Sequence, residues 1–275
     1  MPELAEVEFY RKRWHLTARG ERIVRVHAHE AKRLLRGVDI AALRQALIGA
    51  RFEDSQAAAK QMVFRFGSDA WLGVHLGMSG ALTVAPPDYP PAKHDHLVLF
   101  TTKHALVFTD PRMFGRVDFH PGAEPPAWWS CIAPALLSKA FTVAAVAAFL
   151  KRRARAPIKA VLLMQERFPG IGNWMADEIL WRAAIHPRRA AGTLKPKEVR
   201  DLWQACRTVA RQALAAIAGR GDTLPADLNV GIPHSWLFHH RWEQGGTCPK
   251  TKTPLAHATI GGRTTCWSPA RQKLK

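Results

Sequence analysis

Phe168-Pro169-Gly170-Ile171-Gly172-Asn173 is the stretch on which the reading of the fold turns. A proline and two glycines in five residues stop any helix that reaches it, and Asn173 is a good N-cap for one that leaves it. Both flanks are helical. Upstream, Thr142 suits the cap of a helix running through Phe149 to about residue 154, and Pro157 suits the first turn of the next. Downstream, a helix over 173 to about 185 is halted by His186-Pro187. Another over about 196–218 puts Val199, Leu202, Cys206, Val209, Ala213 and Leu214 on one face and stops at Gly219. A glycine turn of this kind lets backbone approach a phosphate, and the helix start behind it offers free N–H groups. A plain αα-corner explains the same residues equally well.

Towards the N-terminus the period changes. Between residues 23 and 119 the apolar runs are short and alternate, as in Met62-Val63-Phe64-Arg65-Phe66, Trp71-Leu72-Gly73-Val74-His75-Leu76, Leu97-Val98-Leu99-Phe100 and Ala105-Leu106-Val107-Phe108. Gly, Pro and Asp punctuate them, which predicts antiparallel strands in a sandwich or barrel. Residues 3–18 carry helical spacing, with Leu4, Val7, Tyr10 and Trp14 on one side. The proline-rich stretch after residue 120 has no period and reads as a linker. Beyond Trp236 the chain turns strand-like, with Gly261-Gly262 as a tight hairpin turn. The expected fold class is α+β and multidomain: an N-terminal helix plus antiparallel β-sandwich over 1–120, a linker over 121–138, a helical domain over 139–235 and a terminal β-hairpin over 236–275.

Charge narrows the function. The 275 residues include 40 Lys+Arg and 22 Asp+Glu, a net +18. A compact chain so basic implies a polyanionic partner, and charge spread along the whole length points to nucleic acid rather than a membrane surface. Apolar residues at 47% and charged residues at 23% exclude a disordered or fibrous chain. No apolar run approaches the roughly 20 residues of a membrane helix. Met1-Pro2-Glu3-Leu4-Ala5-Glu6 is acidic where a secretory leader would be basic, so a cytoplasmic location is expected, nucleoid-associated if the source is bacterial. Cys131, Cys206, Cys248 and Cys266 form no C-x-x-C pair and give no disulfide framework and no strong zinc or redox pattern.

Five motifs, in order, carry a resemblance. Met1-Pro2-Glu3-Leu4-Ala5-Glu6-Val7-Glu8 is similar to the MPELPEVE opening of the formamidopyrimidine-DNA glycosylase/endonuclease VIII family, with Ala5 in place of a proline. His75-Leu76-Gly77-Met78-Ser79-Gly80 and Asp110-Pro111-Arg112-Met113-Phe114-Gly115 resemble two further family motifs. Gly170-Ile171-Gly172-Asn173, through Ala176-Asp177-Glu178-Ile179-Leu180, resembles its helix–two-turn–helix element, and Gly262-Arg263-Thr264-Thr265 the tip of its C-terminal finger. The resemblance implies a bifunctional DNA glycosylase and abasic-site lyase of base-excision repair, monomeric, acting on damaged double-stranded DNA without a cofactor.

On that resemblance Pro2, freed by removal of Met1, is the nucleophile. An α-amino group has a pKa near ~7.7–8.0, so a neutral fraction exists at physiological pH. A secondary amine necessarily gives a cationic iminium, an electron sink that drives β- and then δ-elimination. Glu3 is the adjacent acid/base and Glu6 its support. Lys60 matches the lysine beside the lesion phosphate. Arg263 is placed with the catalytic set as a phosphate clamp, and His75, Asn173 and, more weakly, Lys159 with DNA binding. Met78, Arg112 and Phe114 match the triad that fills the gap left by a flipped base, although Met and Phe near strand ends are ordinarily core.

Two departures qualify the match. Where the family commonly has four cysteines around zinc, this chain has Cys248, Thr251, Ser268 and Arg271, with Cys266 two residues off register. Thr, Ser and Arg do not replace thiolates, so no metal is expected; the alternative, His239, His240 or His257 with Cys248 and Cys266, lacks recognisable ligand spacing. The pattern resembles the zincless-finger branch known from plants and fungi, with Trp267, Leu255 and Ile260 expected to pack the hairpin. The loop over 222–233 is shorter than in members preferring 8-oxoguanine. That shortening shifts the expected substrates to formamidopyrimidines, hydantoins and oxidised pyrimidines, with weak action on 8-oxoguanine. A non-catalytic damaged-DNA-binding protein on the same scaffold is the alternative.

Overall fold

The computed structural model describes residues 2–29, 33–242 and 245–274. Met1, whose removal the sequence reading requires, lies outside them. The chain divides into two compact units, one running to Ile132 and including Ala218–Leu224, the other formed by Ala133–Ile217 and the chain from Pro225 onward.

The first unit begins with α1 (Leu4–Ala18), followed by β1 (Arg25–Ala28), a 3₁₀ turn (Arg33–Leu35) and α2 (Ile40–Leu47). Then come β2 (Phe52–Ala58), β3 (Gln61–Phe66), β4 (Ala70–His75), β5 (Ala81–Ala85), β6 (Asp95–Phe100), β7 (Ala105–Thr109) and β8 (Arg116–Pro121). They form two antiparallel four-stranded sheets, ordered β1-β6-β7-β5 and β2-β3-β4-β8. Alternation sets what faces inward. Phe52, Phe64, Phe66, Leu72 and Val74 from one sheet share a core with Leu82, Leu97, Leu99, Leu106 and Phe108 from the other. The opposite face of β6 and β7, with Val98, Phe100, Ala105 and Val107, is covered by Ala85 and Tyr89, which is why β6 is buried throughout.

Helix α1 lies against β2, β3 and β5 and buries Ala5, Val7, Phe9, Lys12, Trp14 and Ala18. Leu4 and Tyr10, expected inward, are only half-buried. The single apolar stripe fails because this helix is covered on more than one side. Trp14 reaches the sheet, its Nε1–H donating to the Thr83 carbonyl at 3.0 Å. Lys12 reaches the returning segment, its ammonium donating to the carbonyls of Ala218, Gly219 and Thr223. The stretch expected as bare linker holds a short helix, α3 (Ala127–Ser130), whose Trp128 lies over Gly73; a Cβ there would meet that ring at 2.7 Å.

The second unit contains α4 (Val143–Arg152), α5 (Ile158–Leu162), α6 (Asn173–Arg182), α7 (Pro196–Ile217) and the antiparallel pair β9 (Ala256–Ile260) and β10 (Arg263–Trp267). Thr142 caps α4, accepting from the Ala145 N–H at 3.1 Å. Gly172 rather than Asn173 caps α6, so Asn173 is its first helical residue. Both Gly261 and Gly262 have positive φ, as a two-residue hairpin of this twist demands. Among the described residues no helix is long and apolar enough to cross a membrane.

Burial sets a pH dependence. His15, His27, His75, His96 and His186 each have a pKa below the ordinary value, with desolvation the leading cause. The folded state therefore holds neutral rings. Their stabilising effect is complete above about pH 6.5, and it is lost as pH falls and the unfolded chain takes up protons the folded chain refuses. Burial raises the Glu178 carboxyl and acts in the opposite sense, one group against five. Thermal unfolding is expected at a lower temperature at pH 5.5 than at pH 7.5; an equal or higher midpoint would contradict this.

Candidate functional site

In the first unit the site starts at the first turn of α1. Glu3 and Glu6 cap each other: the Glu3 N–H donates to Glu6 Oε2 at 3.2 Å, and the Glu3 carboxylate accepts from the Glu6 N–H. Glu3 is 2% exposed, whereas Pro2, immediately before it, is half-buried. The chain start is thus fixed to the sandwich core through α1, with a carboxyl group next to the proline.

Lys60 occupies the two-residue turn between β2 and β3, beside Ala59, which holds a positive φ of 56°. Its side chain is largely buried. Gln61 pairs with His75, and His75 in turn with Arg116, so Lys60, His75 and Arg116 gather at one end of the sheet's strands. Burial, then Arg116 and Lys60, lower the His75 pKa. The Gly77 N–H donates to His75 Nδ1 at 3.1 Å, so the neutral ring carries its proton on Nε2, a donor suited to an anionic oxygen.

Met78, Arg112 and Phe114 are brought together on two neighbouring loops. The Arg112 guanidinium sits 5.2 Å from the Phe114 ring centre. Phe114 is 53% exposed, Arg112 is exposed and Met78 is half-buried, so the ordinary core reading of these residues fails. Met113, which had no reading from sequence, is also exposed and has a positive φ of 54°.

In the second unit Gln165, which sequence reasoning passed over, builds the turn between α5 and α6. Its amide donates to the carbonyls of Leu163 and Ile171, and its oxygen accepts from the Gly170 N–H, all at 2.9 Å. Asn173 uses one amide proton on the Thr264 carbonyl at 2.8 Å, tying the start of α6 to the hairpin that presents the exposed Arg263.

Lys159 is a correction. It is fully buried, and its ammonium donates to Asp177 Oδ1 at 2.5 Å and to the Asn173 carbonyl at 2.7 Å. No phosphate reaches it there. Asp177 Oδ2 also takes Arg241 at 2.7 Å and the Cys266 N–H at 3.1 Å, so one carboxylate joins α5, α6 and the hairpin. A buried Asp on a helix face was the available signal, but its partners lie 18, 64 and 89 residues away.

The positions aligned with zinc ligands do not fit a metal. Arg271 donates to the carbonyls of Trp181 and Arg182, capping the end of α6 with a cation suited to the helix dipole. Burial would raise the Cys248 thiol, but hydrogen bonds from Thr251 and Trp181 bring it to about 7. Burial, then the nearby Asp177, push Cys266 up to about 12. His239, His240 and His257 each face a backbone carbonyl at 2.9–3.0 Å. Packing supplies the rest: Trp181, Leu237, Cys248, Leu255 and Cys266 form one apolar cluster, Ile260 is buried, and Trp267 lies edge-on to His186.

Residues 1–117 match the formamidopyrimidine-DNA glycosylase N-terminal domain, and residues 132–223 match the formamidopyrimidine-DNA glycosylase H2TH domain. The chain belongs to the formamidopyrimidine-DNA glycosylase family. It is 36% identical to the formamidopyrimidine-DNA glycosylase of Laribacter hongkongensis over 284 residues, covering 99% of this chain and all of that one. The Roseiflexus protein of the same name is 35% identical with the same coverage. In fold the chain is similar to the Lactococcus lactis enzyme solved with DNA containing N7-benzyl-Fapy-dG, with a TM-score of 0.86 at 24% identity over 99% of this chain and all of that one.

Asp177→Ala would leave two cations uncompensated in the interior. A loss of about 3–5 kcal/mol is expected in denaturant unfolding, while EDTA leaves the thermal midpoint of the native protein unchanged. A large drop with EDTA, or a neutral Asp177→Ala, would contradict the account.

Proposed function

We propose that the chain, by family a DNA glycosylase of base-excision repair, is bifunctional, releasing oxidised bases and cutting the resulting abasic site through Pro2. The observation that carries this reading is the reciprocal Glu3–Glu6 cap, which holds Pro2 at the start of a core-anchored helix with a shielded carboxyl group beside it.

With Met1 removed, the Pro2 nitrogen lone pair attacks C1′, and the bond from C1′ to the damaged base breaks. Glu3 delivers the proton that opens the sugar ring, and the product is a cationic iminium. Loss of a C2′ proton then expels the 3′ phosphate oxygen, and a second elimination expels the 5′ one. Lys60, His75, Asn173 and Arg263 hold backbone phosphates, and Met78, Arg112 and Phe114 fill the gap left by the everted base. The expected substrates are formamidopyrimidines, hydantoins and oxidised pyrimidines in duplex DNA, with 8-oxoguanine poor because the loop over 222–233 is short. No cofactor takes part, the protein acts as a monomer inside the cell, and the finger belongs to the zincless kind. DNA bound to solved relatives and the +18 charge support a damaged-DNA partner.

Borohydride trapping on an abasic-site oligonucleotide tests this. The native chain and Pro2→Gly, which retains a terminal amine, are expected to form a reducible crosslink; a chain with one residue added ahead of Pro2 is expected to form none. A protein that binds the oligonucleotide but never crosslinks is the non-catalytic binder instead. Single-turnover rates should be fastest on formamidopyrimidine lesions, and fast 8-oxoguanine release would overturn the substrate ranking.

A further inference from the structure

Asp110 is fully buried and follows directly on β7. Its Oδ1 accepts the Ser79 hydroxyl at 2.5 Å and the Arg112 N–H at 3.2 Å, and its Oδ2 accepts the Gly115 N–H at 2.7 Å. One carboxylate therefore bonds both loops that carry the exposed side chains: the turn holding Met78, and the loop holding Arg112 and Phe114. Its main chain is fixed as well. The Asp110 N–H donates to the His94 carbonyl at 3.0 Å, and its carbonyl lies 2.9 Å from His96 Nε2 and accepts the Met113 N–H at 3.2 Å.

The two loops also interlock without side chains. A Cβ on Gly77 would come within 2.3–2.5 Å of the Phe114 and Gly115 backbone, and one on Gly115 would meet Phe108 at 2.8 Å. At Gly77 the two loops touch backbone to backbone, with no space for a side chain between them. What Asp110 adds is direction: three charge-assisted bonds from one rigid acceptor fix the registry of the turn against the loop.

We propose that Asp110 is a positioning residue that locks the Met78 turn and the Arg112–Phe114 loop into a single wedge, so that both enter the base stack as one body. This rests on the reading of Met78, Arg112 and Phe114 as gap-filling side chains. Asp110 touches neither the sugar nor the base. It acts by holding the wedge in its inserting geometry before DNA arrives, where a misplacement near 1 Å costs a rate on the order of 10²-fold.

Asp110→Asn is isosteric but turns one acceptor oxygen into a donor, which then faces a donor N–H or hydroxyl. Two activities are compared: excision of a formamidopyrimidine from duplex DNA, which needs the wedge, and cleavage of a preformed abasic site in single-stranded DNA, which leaves no stack to fill. The ratio of the two rates is expected to fall roughly 10- to 100-fold in Asp110→Asn, and by less in Ser79→Ala, which removes one bond of the three and keeps the fold if the first variant loses it. A ratio equal to that of the native protein, whether both rates persist or both fall together, overturns the proposal. A second readout needs no catalysis. The fluorescence of 2-aminopurine opposite a tetrahydrofuran site should change on binding the native protein and change several-fold less with Asp110→Asn. If that contrast appears while the native chain cuts nothing, the lyase reading fails and the wedge stands; if the two proteins give the same signal, the wedge fails.

Discussion

A hydrogen-bonded cap between Glu3 and Glu6 determines where the chain's first residues lie. Because α1 carries Val7, Trp14 and Ala18 into the sandwich core, the position of that cap is inherited from buried apolar side chains. Termini ordinarily fray; here a helix begins at residue 4 and is covered on several sides, with Lys12 adding three carbonyl contacts. A terminal amine used as a nucleophile requires this arrangement: a flexible first residue would have to be ordered again for each turnover.

Elsewhere two buried carboxylates and a half-buried amide hold the segments that carry candidate residues. Asp110 bonds the turn holding Met78 to the loop holding Arg112 and Phe114, Asp177 joins α5 and α6 to the hairpin, and Gln165 shapes the turn before Asn173. The hairpin is the sharpest case. It is held by a carboxylate between two cations, the Trp181 N–H on the Cys248 sulfur, and an arginine cap on α6. Those interactions need partners from several segments, so the finger depends on the helices beneath it for its shape.

Much of this was legible in the residues. Alternating runs such as Met62-Val63-Phe64 became strands, and the helix over 196–217 appeared where its apolar face put it, because period and capping are local properties. The motif residues on the loops were named by resemblance alone, because exposed loop side chains carry no period. Lys159 was misread because a lysine in a basic chain looks solvated until the fold supplies Asp177, 18 residues later, as a buried counter-charge. Asp110 and Asp177 were quoted within motifs but given no role, since their work lies in contacts spanning 31 and 64 residues. The cap of α6 lies one residue earlier, at Gly172, and the Asn173 amide instead donates to Thr264.

The account places all of its covalent chemistry on one nitrogen. After borohydride reduction with abasic-site DNA, nuclease trimming and proteolysis, peptide sequencing by mass spectrometry should find the reduced sugar remnant on a peptide that begins at Pro2, attached to its amine. A remnant on Lys60 or any other lysine, or a crosslinked peptide that still carries Met1, would contradict it.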